Sequence, residues 1–151
     1  MTERSQIDRS KIDRSKTERS HWKYRLSLFL AALVAIPVGY GVRFATGITP
    51  EWFNNAVGNV AYESFWIFLV LAIWPKLRPP AIAIGVCCVT CALEFLQLSQ
   101  DPALIAARRT LLGRLVLGTT FTWEDFPTYF LGSAIGGWLA LRLRQQAQSL
   151  D

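Results

Sequence analysis

The chain has 151 residues, of which 52% are hydrophobic and 18% charged, and its formal net charge at pH 7 is +5. Charged residues crowd into the N-terminal segment, whereas long later stretches contain none. This uneven distribution excludes an ordinary soluble globule and predicts a multi-span membrane protein with a basic tail. The basic excess lies in the tail and at span ends, where an anionic membrane surface explains it better than nucleic acid does. We therefore expect membrane lipids as partners and no nucleic acid.

The N-terminal segment, residues 2–21, is a tandem pentapeptide repeat with the sequence TERSQ-IDRSK-IDRSK-TERSH. A period of five matches neither a helix nor a strand, so no apolar face accumulates along it. We predict that residues 1–21 form a disordered basic tail, because so few apolar side chains cannot offset the ordering entropy. Residues 22–145 form one membrane domain, and residues 146–151 form a short cytoplasmic tail. Acidic residues in every repeat dilute the positive charge, which weakens the alternative that the tail binds acidic lipids.

Four apolar stretches predict four transmembrane helices, over residues 26–42, 57–74, 81–98 and 126–143. Trp22 and Tyr24 alternate with basic residues just before the first stretch, a pattern typical of a membrane-interface anchor. All three cysteines fall in the third stretch, where we expect them to serve as small packing residues. The chain has one histidine, in the tail, so no metal site is expected.

The segments between the spans predict short helices outside the membrane. Thr49–Glu51 is typical of a helix start, and we expect a short interfacial helix that carries Trp52. Asp101–Pro102 predicts another helix over Ala103–Leu112, too short to cross about 30 Å of hydrocarbon. Thr122–Asp125 matches a capping box and predicts the start of the fourth span. The predicted fold is an all-α, integral membrane four-helix bundle with one or two short extracytoplasmic interfacial helices.

Basic residues predict the orientation. The tail, the turn with Lys76 and Arg78 and the end with Arg142 and Arg144 share one side, which the positive-inside rule makes cytoplasmic. Both termini are then cytoplasmic, and we expect a multi-pass protein of the bacterial inner (plasma) membrane. The opposite side also carries arginines, which call for a structural or functional explanation; they are Arg43, Arg108, Arg109 and Arg114.

Two glutamates lie within predicted spans, where an acid is costly unless something nearby compensates it. Glu63 and Glu94 both fall in the outer half of the membrane, about 9 Å and about 6 Å from the outer span ends at 1.5 Å per residue. Further polar groups from the outer loop and the neighbouring spans converge on the same side. The candidate ligand-binding residues are Asn59, Glu63, Glu94, Gln97, Arg108, Arg109, Asp125 and Tyr129.

Two roles for this set remain open. In one, Glu94 pairs with an arginine and pins the outer loop onto the bundle. In the other, the set binds a polar or phosphate headgroup, with arginines holding the anion and carboxylates accepting protons. Separately, Gly132 and Gly136 are four residues apart, a spacing that lets another helix approach closely, either within the chain or from a second membrane protein.

The polar pattern resembles an uncharacterised bacterial membrane family, DUF2809, over roughly residues 26–143. The segment Gly58–Tyr62 also resembles that family, although Asn59 stands where the family would have an aspartate. A more distant similarity to VanZ-like proteins rests on the Glu-x-x-Gln and Asp-x-x-x-Tyr pieces alone. The resemblance implies no assigned activity. It is carried by Glu94, Gln97, Pro102, Arg108 or Arg109, Leu117, Gly118, Phe121, Asp125, Tyr129 and Gly132.

Three functional hypotheses follow. The chain binds an envelope lipid or small polar ligand in an outer pocket, acts as an enzyme on a lipid-linked phosphate, or is a structural subunit that contacts another membrane protein through Gly132 and Gly136. No phosphate loop, dinucleotide fingerprint or metalloprotease signature is present in the sequence, so we expect no cofactor, and the catalytic residues of any enzyme stay unknown.

Overall fold

The computed structural model describes residues 3–44, 49–118 and 120–149, and within these ranges the side chains of 3–17 and 43–44 lie outside the description. The described residues form six helices and no strand, which confirms the all-α prediction. The helices are α1 (Glu3–Phe44), α2 (Glu51–Ile73), α3 (Pro79–Leu96), α4 (Pro102–Arg109), α5 (Leu111–Leu117) and α6 (Asp125–Ser149).

Four long helices, α1, α2, α3 and α6, pack into one bundle. Helices α2 and α6 each contact the three others, so they form its centre. The apolar core contains Leu28 of α1, Ile67 and Leu71 of α2, and Ala140 of α6, all completely buried. Outside this core, large apolar side chains such as Val34 and Ile84 are more than half exposed. An apolar outer surface on this scale is typical of a protein covered by lipid.

The two ends of the bundle carry different elements. At the termini end, the Ser20 hydroxyl donates to the Ala147 carbonyl oxygen over 3.2 Å, and the Arg144 guanidinium donates to the Leu77 carbonyl oxygen over 3.0 Å. At the opposite end, here called the α4/α5 end, α2 and α6 begin, α3 ends, and the two short helices lie. The sequence prediction of one or two short helices outside the spans corresponds to α4 and α5.

Three helices are long and apolar enough to cross a membrane, as judged by length and composition. They are α1 over Glu18–Val42, α2 over Glu51–Ile73 and α3 over Pro79–Leu96. Helix α6 has 25 residues and is therefore as long as these spans. Its glycines and polar residues make it less apolar than the other three helices. The fourth span over residues 126–143 therefore stays a prediction.

The structure differs from the sequence prediction in the N-terminal repeat. Helix α1 begins at Glu3, whereas residues 1–21 were expected to be disordered. The repeat contains neither glycine nor proline, and it joins a long apolar helix directly. Extending an existing helix needs no new nucleus, which removes the largest barrier to helix formation. Residues 1–2 lie outside the described part of the chain.

Two helix boundaries also differ from the prediction. The expected interfacial helix with Trp52 is the first turn of α2, which begins at Glu51. Residues 45–48, which precede this helix start, lie outside the description. The single helix expected over Ala103–Leu112 is split at Thr110, whose extended backbone ends α4. The Thr110 hydroxyl then accepts a 3.0 Å hydrogen bond from the Gly113 amide and caps α5.

Candidate polar site at the α4/α5 end

Glu94, in the last turn of α3, is 1% exposed and fully hydrogen-bonded. Its Oε2 accepts from the Tyr129 hydroxyl and from the Gln97 side-chain amide, each over 2.9 Å. Its Oε1 accepts from the backbone N–H of Thr122 over 2.8 Å. Three neutral donors thus compensate the carboxylate, as burial of a charge requires. The carboxylate also ties the segment before α6 to the end of α3.

The expected pair between Glu94 and an arginine is not formed in the described chain. Arg108 instead donates to the carbonyl oxygens of Leu96 over 2.6 Å, Gln97 over 3.3 Å and Ser99 over 3.4 Å. A helix leaves its last carbonyl groups without intrahelical partners, so the guanidinium caps α3 and holds α4 against it. Arg109 is exposed and takes no part in this contact.

The loop is pinned all the same, because the Glu94–Thr122 hydrogen bond performs the role expected of an ion pair. The observed start of α6 also differs from the predicted one. Thr122 was expected to cap the helix, but the helix begins at Asp125, with the Asp125 amide donating to the Thr122 carbonyl oxygen over 3.2 Å.

Glu63, in the middle of α2, is completely buried, but only one of its two carboxyl oxygens accepts a hydrogen bond. Its Oε2 accepts a 2.7 Å hydrogen bond from the Ser133 hydroxyl of α6. Its Oε1 has no hydrogen-bond partner. The Thr90 side chain of α3 lies beside the carboxyl, but its hydroxyl donates to the Val86 carbonyl oxygen over 2.8 Å. Glu63 and Glu94 therefore have different surroundings, although both are buried acids.

Glycines on α6 allow α2 to approach closely enough for these bonds. A Cβ placed on Gly132 would lie 2.9 Å from both the Val60 Cα and the Glu63 Cβ. A Cβ on Gly136 would lie 3.1 Å from the Ser64 Cα. The small-residue face noted in the sequence is therefore occupied by α2 of the same chain, which is the intramolecular alternative for Gly132 and Gly136.

Helix α6 presents a row of polar residues at four-residue spacing. Asp125 accepts a 2.8 Å hydrogen bond from the Asn59 side-chain amide, Tyr129 reaches Glu94, and Ser133 reaches Glu63. Residues four apart lie on one face of a helix, so the row extends about 12 Å along α6. Below Ser133 the same face continues with Gly136, Gly137 and Ala140, where the buried Ser64 of α2 lies beside Gly136 and the apolar core begins.

A polar cleft of about 230 Å³ opens where this row begins. The Asn59 amide, which is part of the lining, donates to both Asp125 and the Thr128 hydroxyl, the latter over 2.9 Å. Two carboxylates line the cleft, and the described lining residues include no lysine or arginine. They are Trp52, Asn55, Ala56, Asn59, Thr120, Thr122, Glu124, Asp125 and Thr128.

The structure thus divides the predicted site residues into groups. Asn59 and Asp125 line the cleft; Glu94, Gln97 and Tyr129 form one buried network, and Glu63 forms another. Arg108 caps a helix, and Arg109 lies apart.

The sequence reasoning missed several contributors, of which Thr128 and Ser133 carried a usable signal, because each shares a helical face with a predicted residue. They are Thr90, Thr122, Glu124, Thr128 and Ser133.

Comparison with known families bears on the same region. Residues 48–133 match DUF2809, a family described as a protein of unknown function, and this match covers more than half of the chain. The chain belongs to the DUF2809 family. The DUF2809 match starts just before α2 and ends at Ser133, so it contains the cleft and both buried glutamates. It is shorter than the resemblance expected from the sequence, because α1 and the second half of α6 fall outside it. No solved structure matches the chain.

Proposed function

We propose that this DUF2809 protein is an integral membrane protein that binds a polar ligand in the cleft at the α4/α5 end. The observation that carries this proposal is the lining of the cleft, where Glu124 and Asp125 stand with amide and hydroxyl groups around an open space. Such a lining offers mainly hydrogen-bond acceptors and negative charge. The ligand class is therefore one with a positive charge or several donors, such as an amine-bearing lipid headgroup.

The same lining argues against an enzyme that acts on a lipid-linked phosphate. A phosphate site needs cationic or N–H donors around the anion. The Arg108 guanidinium is hydrogen-bonded to the carbonyl groups at the end of α3, and Arg109 lies outside the cleft. The third hypothesis, a structural subunit that contacts its partner through Gly132 and Gly136, loses support because α2 already covers that face.

The orientation remains part of the proposal. Helix α6 runs the length of the bundle, so it is proposed as the fourth span. With four spans both termini share one side, and the basic residues Lys76, Arg78, Arg142 and Arg144 favour the cytoplasmic side for them. The cleft then opens toward the outside of a bacterial inner membrane. The distant VanZ-like similarity adds nothing to this proposal, because it gives no residue beyond those already named.

Native mass spectrometry of the detergent-extracted protein tests the ligand. We expect a co-purifying molecule on the wild type and its loss in Glu124→Gln, which removes one charge at the cleft without touching the Asn59–Asp125 hydrogen bond. The matched control is Glu51→Gln, another exposed glutamate at the same end that does not line the cleft. Retention of the same molecule by both variants would refute the cleft as its site.

A binding titration distinguishes a cationic ligand from an anionic one. Ethanolamine is the cationic probe and inorganic phosphate the anionic one, each added to wild type and to Glu124→Gln. We expect saturable binding of ethanolamine that weakens in the variant. Binding of phosphate with no binding of ethanolamine would overturn the proposed ligand class.

A further inference from the structure

The Glu63 carboxyl raises a separate question, because one of its oxygens is buried without a partner. The side chain is 0% exposed, and Oε1 receives no hydrogen bond. Buried polar atoms are nearly always satisfied in folded proteins, so such an atom calls for a specific explanation. Glu94 lies in the same half of the bundle and accepts hydrogen bonds at both oxygens, which shows that the fold can satisfy a buried carboxyl group completely.

The donors and acceptors around the Glu63 carboxyl supply the explanation. The Thr90 side chain of α3 lies beside the carboxyl, but its hydroxyl donates to the Val86 carbonyl oxygen and not to Oε1. The Thr90 oxygen still has lone pairs that can accept. A proton on Oε1 turns that atom into a donor toward Thr90, while Oε2 keeps its bond from Ser133. The arrangement is then complete without any further group.

Within the described part of the chain, the elements packed around Glu63 supply no compensating charge. From its own helix the neighbouring titratable group is Tyr62, and from α3 it is Cys91, which in turn lies beside Cys87. Helix α6 contributes the neutral Ser133, and toward the termini end Ile67 closes the interior. No lysine or arginine of the described chain contacts the carboxyl, and an acid so placed within a membrane span is a default candidate for a functional role.

We infer that Glu63 is a proton-binding site inside the bundle, separate from the ligand cleft. It takes up and releases one proton, with Ser133 holding Oε2 and Thr90 accepting from the protonated Oε1. The polar row of α6 lies between this carboxyl and the cleft, and the apolar core around Ile67 lies on its other side.

Dicyclohexylcarbodiimide provides the test, because this apolar reagent modifies protonated carboxyl groups in membrane interiors. The full chain in detergent is treated over a range of pH, and the adduct is located by peptide mass spectrometry. We expect one adduct on Glu63, with labelling that falls as the pH rises, and no adduct on Glu94. The variant E63Q loses the adduct, whereas E51Q, at an exposed glutamate outside the cleft, keeps it.

Infrared spectroscopy provides an independent readout that needs no reagent to enter the bundle. Protonated carboxyl groups give a carbonyl band distinct from that of carboxylates. We expect such a band in the wild type, its loss at high pH, and its absence in E63Q.

Three results would overturn the inference. They are labelling of Glu94 in place of Glu63, an infrared band that E63Q leaves unchanged, and protection of Glu63 from the reagent by sodium ions, which would assign the site to a metal cation. Because wild-type labelling and wild-type spectra are informative by themselves, a folding defect in E63Q does not remove the test. None of these readouts involves the cleft ligand, so this inference and the proposed function fail separately.

Discussion

Replacing Glu94 with glutamine measures how far the carboxylate holds the α4/α5 end together. The substitution keeps the shape of the side chain but exchanges one oxygen for an NH₂ group. In the structure both oxygens accept, Oε1 from the Thr122 amide and Oε2 from Tyr129 and Gln97. Whichever way the new amide turns, its NH₂ group faces a donor.

The magnitude follows from these three bonds. In the better orientation the Thr122 N–H loses its acceptor, and a hydrogen bond to a charged group contributes about 1.5–3 kcal/mol. The bonds from Tyr129 and Gln97 persist, but they lose the assistance of the charge, at about 1 kcal/mol each. We expect E94Q to lower the free energy of unfolding by about 3 kcal/mol or more. For a chain of this size that corresponds to a fall in the melting temperature of roughly 6–12 °C.

Thermal unfolding in detergent, followed by tryptophan fluorescence, measures the effect. The control is Glu51→Gln, an exposed glutamate for which we expect a change within about 0.5 kcal/mol. Equal melting temperatures for E94Q and wild type would refute the structural role of the carboxylate. A large fall in the control would show instead that any loss of negative charge at this end is destabilising.

Three further predictions test other contacts by the same unfolding assay. Gly132→Ala should lower the free energy of unfolding by about 1–3 kcal/mol, because the new Cβ meets the α2 backbone. The control Gly85→Ala should be neutral or stabilising, because a Cβ there meets nothing within 4 Å. Equal effects of the two substitutions would contradict the close α2–α6 packing. Asn59→Asp should destabilise the protein at neutral pH by setting a carboxylate against Asp125, with recovery in mild acid, and a pH-independent loss would argue against repulsion. Asp101→Ala should cost about 0.5–2 kcal/mol by removing the cap of α4, and Asp101→Asn should restore most of it.

Much of the helical architecture could be predicted from hydrophobic run length and helix-start residues. Asp101 caps α4 as expected, its carboxylate accepting from the amide of Ala103 over 2.8 Å, and Pro79 begins α3 near the predicted position. These signals are local, because a cap or a proline acts on its own turn of helix. The split at Thr110 was missed because a single threonine is compatible with both a helix interior and a cap.

The partners of the polar residues could not be predicted in the same way. The sequence indicated that Glu94 needs a partner, and arginine was the obvious choice by charge. Which group reaches Glu94 depends on the path of the chain between α3 and α6. That path brings the backbone amide of Thr122 to the carboxylate and places Arg108 at the end of α3. Backbone donors carry no signature in the sequence, so this exchange could be seen only in three dimensions.

The glutamates were predicted to share one pocket, and here spacing along α6 decided otherwise. Tyr129 and Ser133 are one turn apart, and each donates a hydrogen bond to a different glutamate. One turn of helix is about 5.4 Å, which is enough to separate the two carboxyl groups into independent networks.

The change of character along α6 has a consequence for how the protein tolerates variation. From Asp125 to Ser133 the helix is held by directional bonds, so a replacement of equal volume still fails there if it reverses a donor and an acceptor. From Gly136 to Ala140 it is held by close contact of small side chains, so the size of a replacement matters more than its polarity. Substitutions drawn from a random library should therefore sort by polarity in the first of these segments and by size in the second.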